Sequence, residues 1–374
     1  MPPALPTALA CTLLAATSYA AVALMLAAPA TTDVLMPALA AAQAAGRFAD
    51  GTPLRTRYTG LAPLDGVLSG LVAYFFLLVD GADPAALRFS RWFVPQLAPW
   101  LVLMHWEAGR RTALVARIPT LVGLVMQRLT GGVVLPLYYA AFALTTPLAP
   151  TPPTPDTVAR AHALLPALAL GFGLPSLALF AAPARLAPAS AQLLAALWQP
   201  FPLWLALLAN GLRPFFAAVL PAPAGPAACA RAAKQSIQRT FLACGALSAL
   251  THIWALADAL TAKSPSAALI TTFVPYTLWL SLGLAPRPDA PPLHQAARAF
   301  FQYDCACIAL GAALFFAWSH AALARPGRDA GLAGWAARAG VLCVVGGPGA
   351  ALAWAAYVRE DQVFALVRGR GKEE

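Results

Sequence analysis

Apolar residues along this chain come in long, nearly unbroken runs, separated by short polar or proline-rich stretches. The runs fall near residues 8–29, 61–79, 92–107, 128–147, 163–182, 193–220, 240–261, 265–284, 299–320 and 331–357. Most approach the roughly 20 residues that a helix needs to cross a hydrocarbon layer about 30 Å thick. A transmembrane barrel would instead alternate apolar and polar positions in segments of about 10 residues. The pattern therefore predicts an all-α fold, a polytopic integral membrane helical bundle. Ten runs do not make ten spans. The run at 92–107 is short and holds Pro95 and Pro99, and the run at 193–220 is interrupted by Asn-Gly-Leu-Arg-Pro at 210–214. The second half of that run is expected to be re-entrant or interfacial. The expectation is seven to ten spans, with eight as the best single value.

Residues 30–60 are the longest connection, and Asp33–Phe48 within it is expected to lie in the membrane plane as a short helix. Residues 148–160 and 286–292 are stiffened by proline. Residues 7–29 are longer than a signal-peptide core and lack a basic leader, so they read as a first span. Residues 1–357 read as a single transmembrane helical domain and 358–374 as a polar C-terminal tail.

Composition supports this picture. The chain is 60% hydrophobic and only 11% charged, against about 25% charged in soluble domains, and its mean hydropathy is +0.68. A net charge of +10 would suggest nucleic acid in a soluble protein. Here arginines flank the apolar runs, where they meet lipid headgroups, so membrane lipid is expected as a partner and nucleic acid is not. The six cysteines lie mostly in apolar runs and read as small buried hydrophobes. The lone Asn210 is followed by Gly-Leu, so there is no N-glycosylation acceptor, which fits an intracellular membrane.

Acids inside or at the edge of spans are costly and carry the most information. The candidates are Asp65, Glu107, Asp258 and Asp304. Asp80, Asp83, Asp156, Asp289 and Asp329 read as loop residues. Asp65 follows Thr59-Gly60 and Pro63 at a helix start, where the helix dipole alone would favour it. Glu107 ends a short run, with Arg110 and Arg111 at the i+3 and i+4 spacing that permits ion pairs. If the runs at 61–79 and 92–107 are antiparallel neighbours, Asp65 and Glu107 reach the same membrane face. Asp258 shares a helix face with Trp254, and Asp304 opens a run behind Phe300, Phe301 and Tyr303. Each acid reads equally well as an anchor or cap. Pro275, beside Tyr276, predicts a kink that opens a cavity, although Trp and Tyr also populate the interface belt.

There is no HExxH, no CxxC pair, no clustered histidine set and no nucleotide-binding loop. Paired aspartate motifs suited to magnesium and diphosphate are also missing. No cofactor and no metal are expected, and a reaction on an isoprenoid would have to start by protonation.

The segments RYTGLAPLDGVLSGLVAYFF at 57–76 and HWEAGRR at 105–111 resemble a fungal family of integral membrane terpene cyclases. These serve meroterpenoid and indole-diterpene biosynthesis and include the macrophorin and ascofuranone types. The resemblance rests on Thr59-Gly60, Leu64-Asp65, and Glu107 with Arg110. It implies an endoplasmic reticulum enzyme that binds a lipophilic prenylated substrate. Such an enzyme protonates a terminal epoxide or alkene and closes rings through carbocations. A buried carboxylic acid in a dry aromatic pocket is suited to that chemistry. The expected acid is Glu107 with Asp65 as partner, followed by Asp304 and Asp258. The expected substrate-binding residues are Trp106, Trp254, Tyr276, Tyr303, Phe300 and Arg110. A non-catalytic scaffold of such a pathway and a transporter of a lipophilic solute are the alternatives.

Overall fold

A computed structural model describes residues 7–181, 185–221, 223–281, 292–325 and 331–370. Among these the secondary structure is helical, apart from an isolated bridge between Arg47 and Pro53. The elements are α1 (Thr7–Leu26), α2 (Met36–Ala45), α3 (Ala62–Val79), α4 (Pro84–Gln96), α5 (Ala98–Ala108), α6 (Pro119–Leu129) and α7 (Gly131–Thr145). They continue with α8 (Pro155–Ala181), α9 (Pro188–Trp198), α10 (Phe201–Val219), α11 (Pro226–Leu260) and α12 (Pro265–Phe273). The last three are α13 (Tyr276–Ser281), α14 (Pro292–Leu323) and α15 (Leu332–Arg370). Proline opens α4, α6, α8, α9, α11, α12 and α14. Its fixed φ suits the first helical position, and its missing N–H is not needed there. These prolines mark helix starts, whereas Pro95, Pro136, Pro166, Pro214 and Pro348 lie inside helices.

Among the described residues seven helices are long and apolar enough to cross a membrane: α1, α3, α8, α10, α11, α14 and α15. The all-α polytopic bundle is therefore present, with one span fewer than the best single expectation. The run at 128–147 forms α7, whose 15 residues rise only about 22 Å. The run at 92–107 is divided between α4 and α5, which meet at Leu97. In series, α4 and α5 rise about 37 Å, enough to cross the hydrocarbon layer as a bent pair.

Three local expectations are corrected. The break expected at Asn210–Pro214 lies earlier, between Trp198 and Phe201, and α10 runs straight through Pro214. Arg213 leaves the apolar stripe to pair with Asp156, so the polar insertion costs the helix little. The expected tail is also structured. Residues 358–370 continue α15, and Arg359 and Glu360 in it are 2% and 0% exposed. Residues 371–374, Asp289 and Asp329, and most of 286–292, lie outside the described residues. Asp83 is no loose loop acid. It is buried, accepts hydrogen bonds from the N–H groups of Ala85 and Ala86 to start α4, and pairs with Arg298 at 2.7 Å.

Polar groups gather in two layers at opposite ends of the helices. One holds Asp83–Arg298, Asp80–His294 and Arg88–Asp258. The other holds Glu107, Arg110, Arg111, Arg359 and Glu360. Between them α15 is interrupted at Gly347, whose φ of 83° only glycine adopts freely, and at Pro348. The freed backbone groups need partners in an apolar interior. Gln96 Oε1 accepts the Gly349 N–H at 2.8 Å, and His252 Nε2 meets the Val344 carbonyl at 3.1 Å.

Candidate active site

A cavity of about 230 Å³ lies between α2, α3, α4, the α6–α7 junction, α9 and α14. Helical spacing builds it. On α14, Phe300, Phe301, Asp304 and Ile308 share one face, and on α3, Gly66, Val67, Gly70, Leu71, Tyr74 and Phe75 do so. The aromatic rings form a connected shell. Tyr74 meets Phe300 edge-on at 5.5 Å, Phe93 meets Phe301 at 4.8 Å, and Phe75 contacts Trp198 at 4.9 Å. Met36 and Val67 line the cavity and are also exposed, so it opens sideways between α2 and α3.

Asp304 is the acidic residue lining this cavity and is 8% exposed. Its Oδ1 accepts the Gly132 N–H at 2.6 Å, and the Thr130 hydroxyl and Gly131 N–H lie close to the same carboxyl. The donor comes from the first turn of α7, whose dipole points at the carboxyl. This approach requires glycine. A Cβ on Gly132 would stand 2.8 Å from Cys307 Cβ and 3.1 Å from Asp304 Oδ1, and one on Gly131 would stand 2.5 Å from Ile308 Cδ1. Thr130, immediately before them, adopts φ 74° and ψ 149°. It also lines the cavity.

Glu107 lies elsewhere. It is 1% exposed and engages three guanidinium groups: Arg110 at 2.5 Å, Arg111 at 2.5 Å and Arg359 at 2.6 Å. Glu360 completes the cluster by taking Arg110 through both oxygens, at 2.5 and 2.7 Å, and Trp106 Nε1 at 3.0 Å. Arg110 stacks 4.8 Å over the Trp106 ring. Arg359 also donates to Ser319 Oγ at 2.9 Å. Ser319 lies about 22 Å further along α14 than Asp304, so the cluster and the cavity sit at different depths.

Asp65 is tied to its own loop. Its carboxylate accepts the N–H groups of Tyr58, Thr59 and Gly60 at 3.0, 2.7 and 3.0 Å, and the Thr59 hydroxyl at 2.9 Å. It shares no partner with Glu107. The expected pairing of Asp65 with Glu107 around one hollow is therefore not formed, because each is saturated by its own neighbours. Asp258 is exposed and pairs with Arg88 at 2.5 Å. Its neighbour Trp254 lines a second, apolar cavity of about 530 Å³ between α4, α8 and α11. Tyr303 shares a hydrogen bond of 2.9 Å with Thr277 and packs against the small cluster of Ala21, Met25 and Cys307. Tyr276, half-buried, follows the Pro275 break between α12 and α13. Of the residues singled out in the sequence, the structure thus brings Asp304, Phe300 and Phe301 to the first cavity. Among the described residues no group of three or more His, Cys, Asp or Glu is placed to hold a metal ion.

Tyr74, Phe75, Phe93, Trp198, Gln43 and Thr130 also line the cavity without having stood out in the sequence. The one local signal is Thr130-Gly131-Gly132, two glycines at a helix start where nothing nearby in sequence explains them.

The CtvD domain model matches residues 9–364. Terpene cyclase alnG of Emericella nidulans is 29% identical over 278 residues, which is 72% of this chain and 72% of that protein. Terpene cyclase penA of Penicillium crustosum is 31% identical over 43% of this chain and 45% of its own. Terpene cyclase ctvD of Aspergillus terreus is 30% identical over 44% and 49% respectively. No solved structure matches the chain.

Proposed function

This chain belongs to the CtvD domain family, and from that membership and the shape of the cavity we propose that it is a membrane terpene cyclase with Asp304 as proton donor. The relatives carry the name terpene cyclase, and seven long apolar helices fit a multi-pass membrane protein. The finer reading is that the enzyme works in the endoplasmic reticulum membrane on a prenylated meroterpenoid or indole-diterpenoid.

The observation that carries this reading is a single carboxyl set in a cavity walled mostly by apolar and aromatic side chains, with Gln43, Gln127 and Arg128 also on its lining. Pockets that enclose whole drug-sized ligands run to about 300–1,000 Å³. At about 230 Å³, this one takes the reacting end of a prenyl chain while the head group stays near the opening. Asp304 gives the proton on Oδ2 to a terminal oxirane oxygen or alkene carbon. For the oxirane, the C–O bond to the more substituted carbon breaks, the oxygen becomes a hydroxyl, and that carbon carries the positive charge. The next double bond attacks it, closing a ring and moving the cation along the chain. The last cation loses a proton or captures an internal oxygen, and the product is an isomer of the substrate. Tyr74, Phe75, Phe93, Trp198, Phe300 and Phe301 exclude water and stabilise the passing charge, by about 0.5–2 kcal/mol for each well-placed ring.

Glu107 and Asp65 have other work in this reading. A carboxylate held by three guanidinium groups stays ionised and has no proton to give. A carboxylate that accepts four hydrogen bonds from residues 58–60 fastens that loop to the first turn of α3. To test the proposal, the protein is expressed in microsomes and given an epoxidised farnesyl phenol. A cyclic product of unchanged mass, lost in Asp304→Asn at equal protein level, supports it. A cyclase that works without Asp304 removes the assignment.

A further inference from the structure

Thr130 carries two costs at one position. Its φ of 74° with ψ of 149° is a backbone conformation in which only glycine is at ease, and a β-branched residue there is an outlier. Its hydroxyl is buried and makes no hydrogen bond of good geometry, although it lies within reach of the Asp304 carboxyl and buried polar atoms are nearly always paired. Glycine would remove both costs and would match the two glycines that follow. The residue also stands beside the Asp304 carboxyl, on the wall of the cavity. Strain and an unpaired polar atom gather where a site demands them.

Taking Asp304 as the acid, as proposed above, we infer that Thr130 is a positioning residue whose hydroxyl serves the carboxylate that forms when the proton leaves. In the resting acid, Oδ1 is held by the Gly132 N–H at 2.6 Å and Oδ2 holds the proton, so the hydroxyl has no ionised partner. As the proton passes to the substrate, negative charge develops on the carboxyl. The Thr130 hydroxyl then turns about its Cβ–Oγ bond and donates to that charge. A hydrogen bond to an ionised group is stronger than one between neutral groups. Because this bond is made only as the proton transfers, it lowers the barrier without tightening substrate binding. The strained turn serves the same end, since it aims both the Gly132 N–H and the Thr130 hydroxyl at one carboxyl. No covalent bond to Thr130 forms or breaks.

The test uses the full chain in microsomes with the epoxidised farnesyl phenol, comparing Thr130→Gly, Thr130→Val and Thr130→Ser. Thr130→Gly is at home at a positive φ, so it folds, and its thermal midpoint equals or exceeds that of the parent. Its kcat is expected to fall about 10- to 100-fold, the loss of one hydrogen bond to a charge, with KM within about twofold. Thr130→Val keeps the shape and loses the hydroxyl, and it shows the same split. Thr130→Ser keeps the hydroxyl and recovers most of the rate. Parental kcat in Thr130→Gly overturns the inference, as does a Thr130→Ser variant as slow as Thr130→Gly. A rise in KM at constant kcat also overturns it. In each of these outcomes loss of activity in Asp304→Asn would still stand, so failure of this inference is separate from failure of the cyclase reading.

Discussion

Glu107→Gln separates an anchor from a catalyst. The buried cluster holds three arginines, Arg110, Arg111 and Arg359, and two glutamates, Glu107 and Glu360, a net charge of +1. Neutralising Glu107 raises the net charge to +2 and strips a carboxylate from three guanidinium groups, each at 2.6 Å or less. None of these side chains reaches solvent to compensate, since all are 5% exposed or less. Removing one partner of a buried ion pair costs about 3–5 kcal/mol. At about 2 °C per kcal/mol for a chain of this size, the thermal midpoint should fall by about 6–10 °C. The assay is the loss of the monodisperse peak of detergent-solubilised protein after heating, followed by size-exclusion chromatography. Protein that remains folded should still cyclise substrate, because the cluster lies about 22 Å along α14 from Asp304. A Glu107→Gln protein as heat-stable as the parent yet without cyclase activity would refute the reasoning and return Glu107 to the chemistry.

Other consequences follow from close contacts. Gly132→Ala places a methyl 2.8 Å from Cys307 Cβ and 3.1 Å from Asp304 Oδ1. The start of α7 must withdraw, at a cost of about 1–3 kcal/mol, and cyclisation should fall by at least about tenfold as the Gly132–Asp304 hydrogen bond is lost; unchanged turnover contradicts the described approach. Gln96→Leu orphans the Gly349 N–H at the break in α15. It should destabilise the protein by about 1–3 kcal/mol, read as a lower thermal midpoint, and a midpoint equal to the parent's contradicts the account of that break.

Much of the fold was legible because a bilayer imposes simple demands. Run length and charge depletion locate the spans, and the i+3 and i+4 spacing of Glu107 with Arg110 and Arg111 corresponds to ion pairs in the structure. What failed was what depends on distant partners. Arg359 and Glu360 look like a polar tail because their neighbours in sequence are polar, yet the acids and arginines that bury them lie some 250 positions away in the chain. Asp304 resembled any acid at a helix start, since the groups that define its site come from Gly132, 172 residues distant, and from rings on α3, α4 and α9. Asp65 and Glu107 drew attention because the sequence shows the cost of a charge near hydrocarbon. It does not show how fully local hydrogen bonds and ion pairs offset that cost.

The central claim is that Asp304 supplies the proton that starts cyclisation. Its most direct measurement is turnover of epoxidised farnesyl phenol by Asp304→Asn in microsomes, at matched protein level and thermal midpoint. The amide keeps the shape and still accepts the Gly132 N–H, but it has no acidic proton to give. The account predicts a cyclic isomer reduced by at least about a hundredfold, within the range that acid catalysis contributes. Cyclisation at the parental rate in that variant would contradict it.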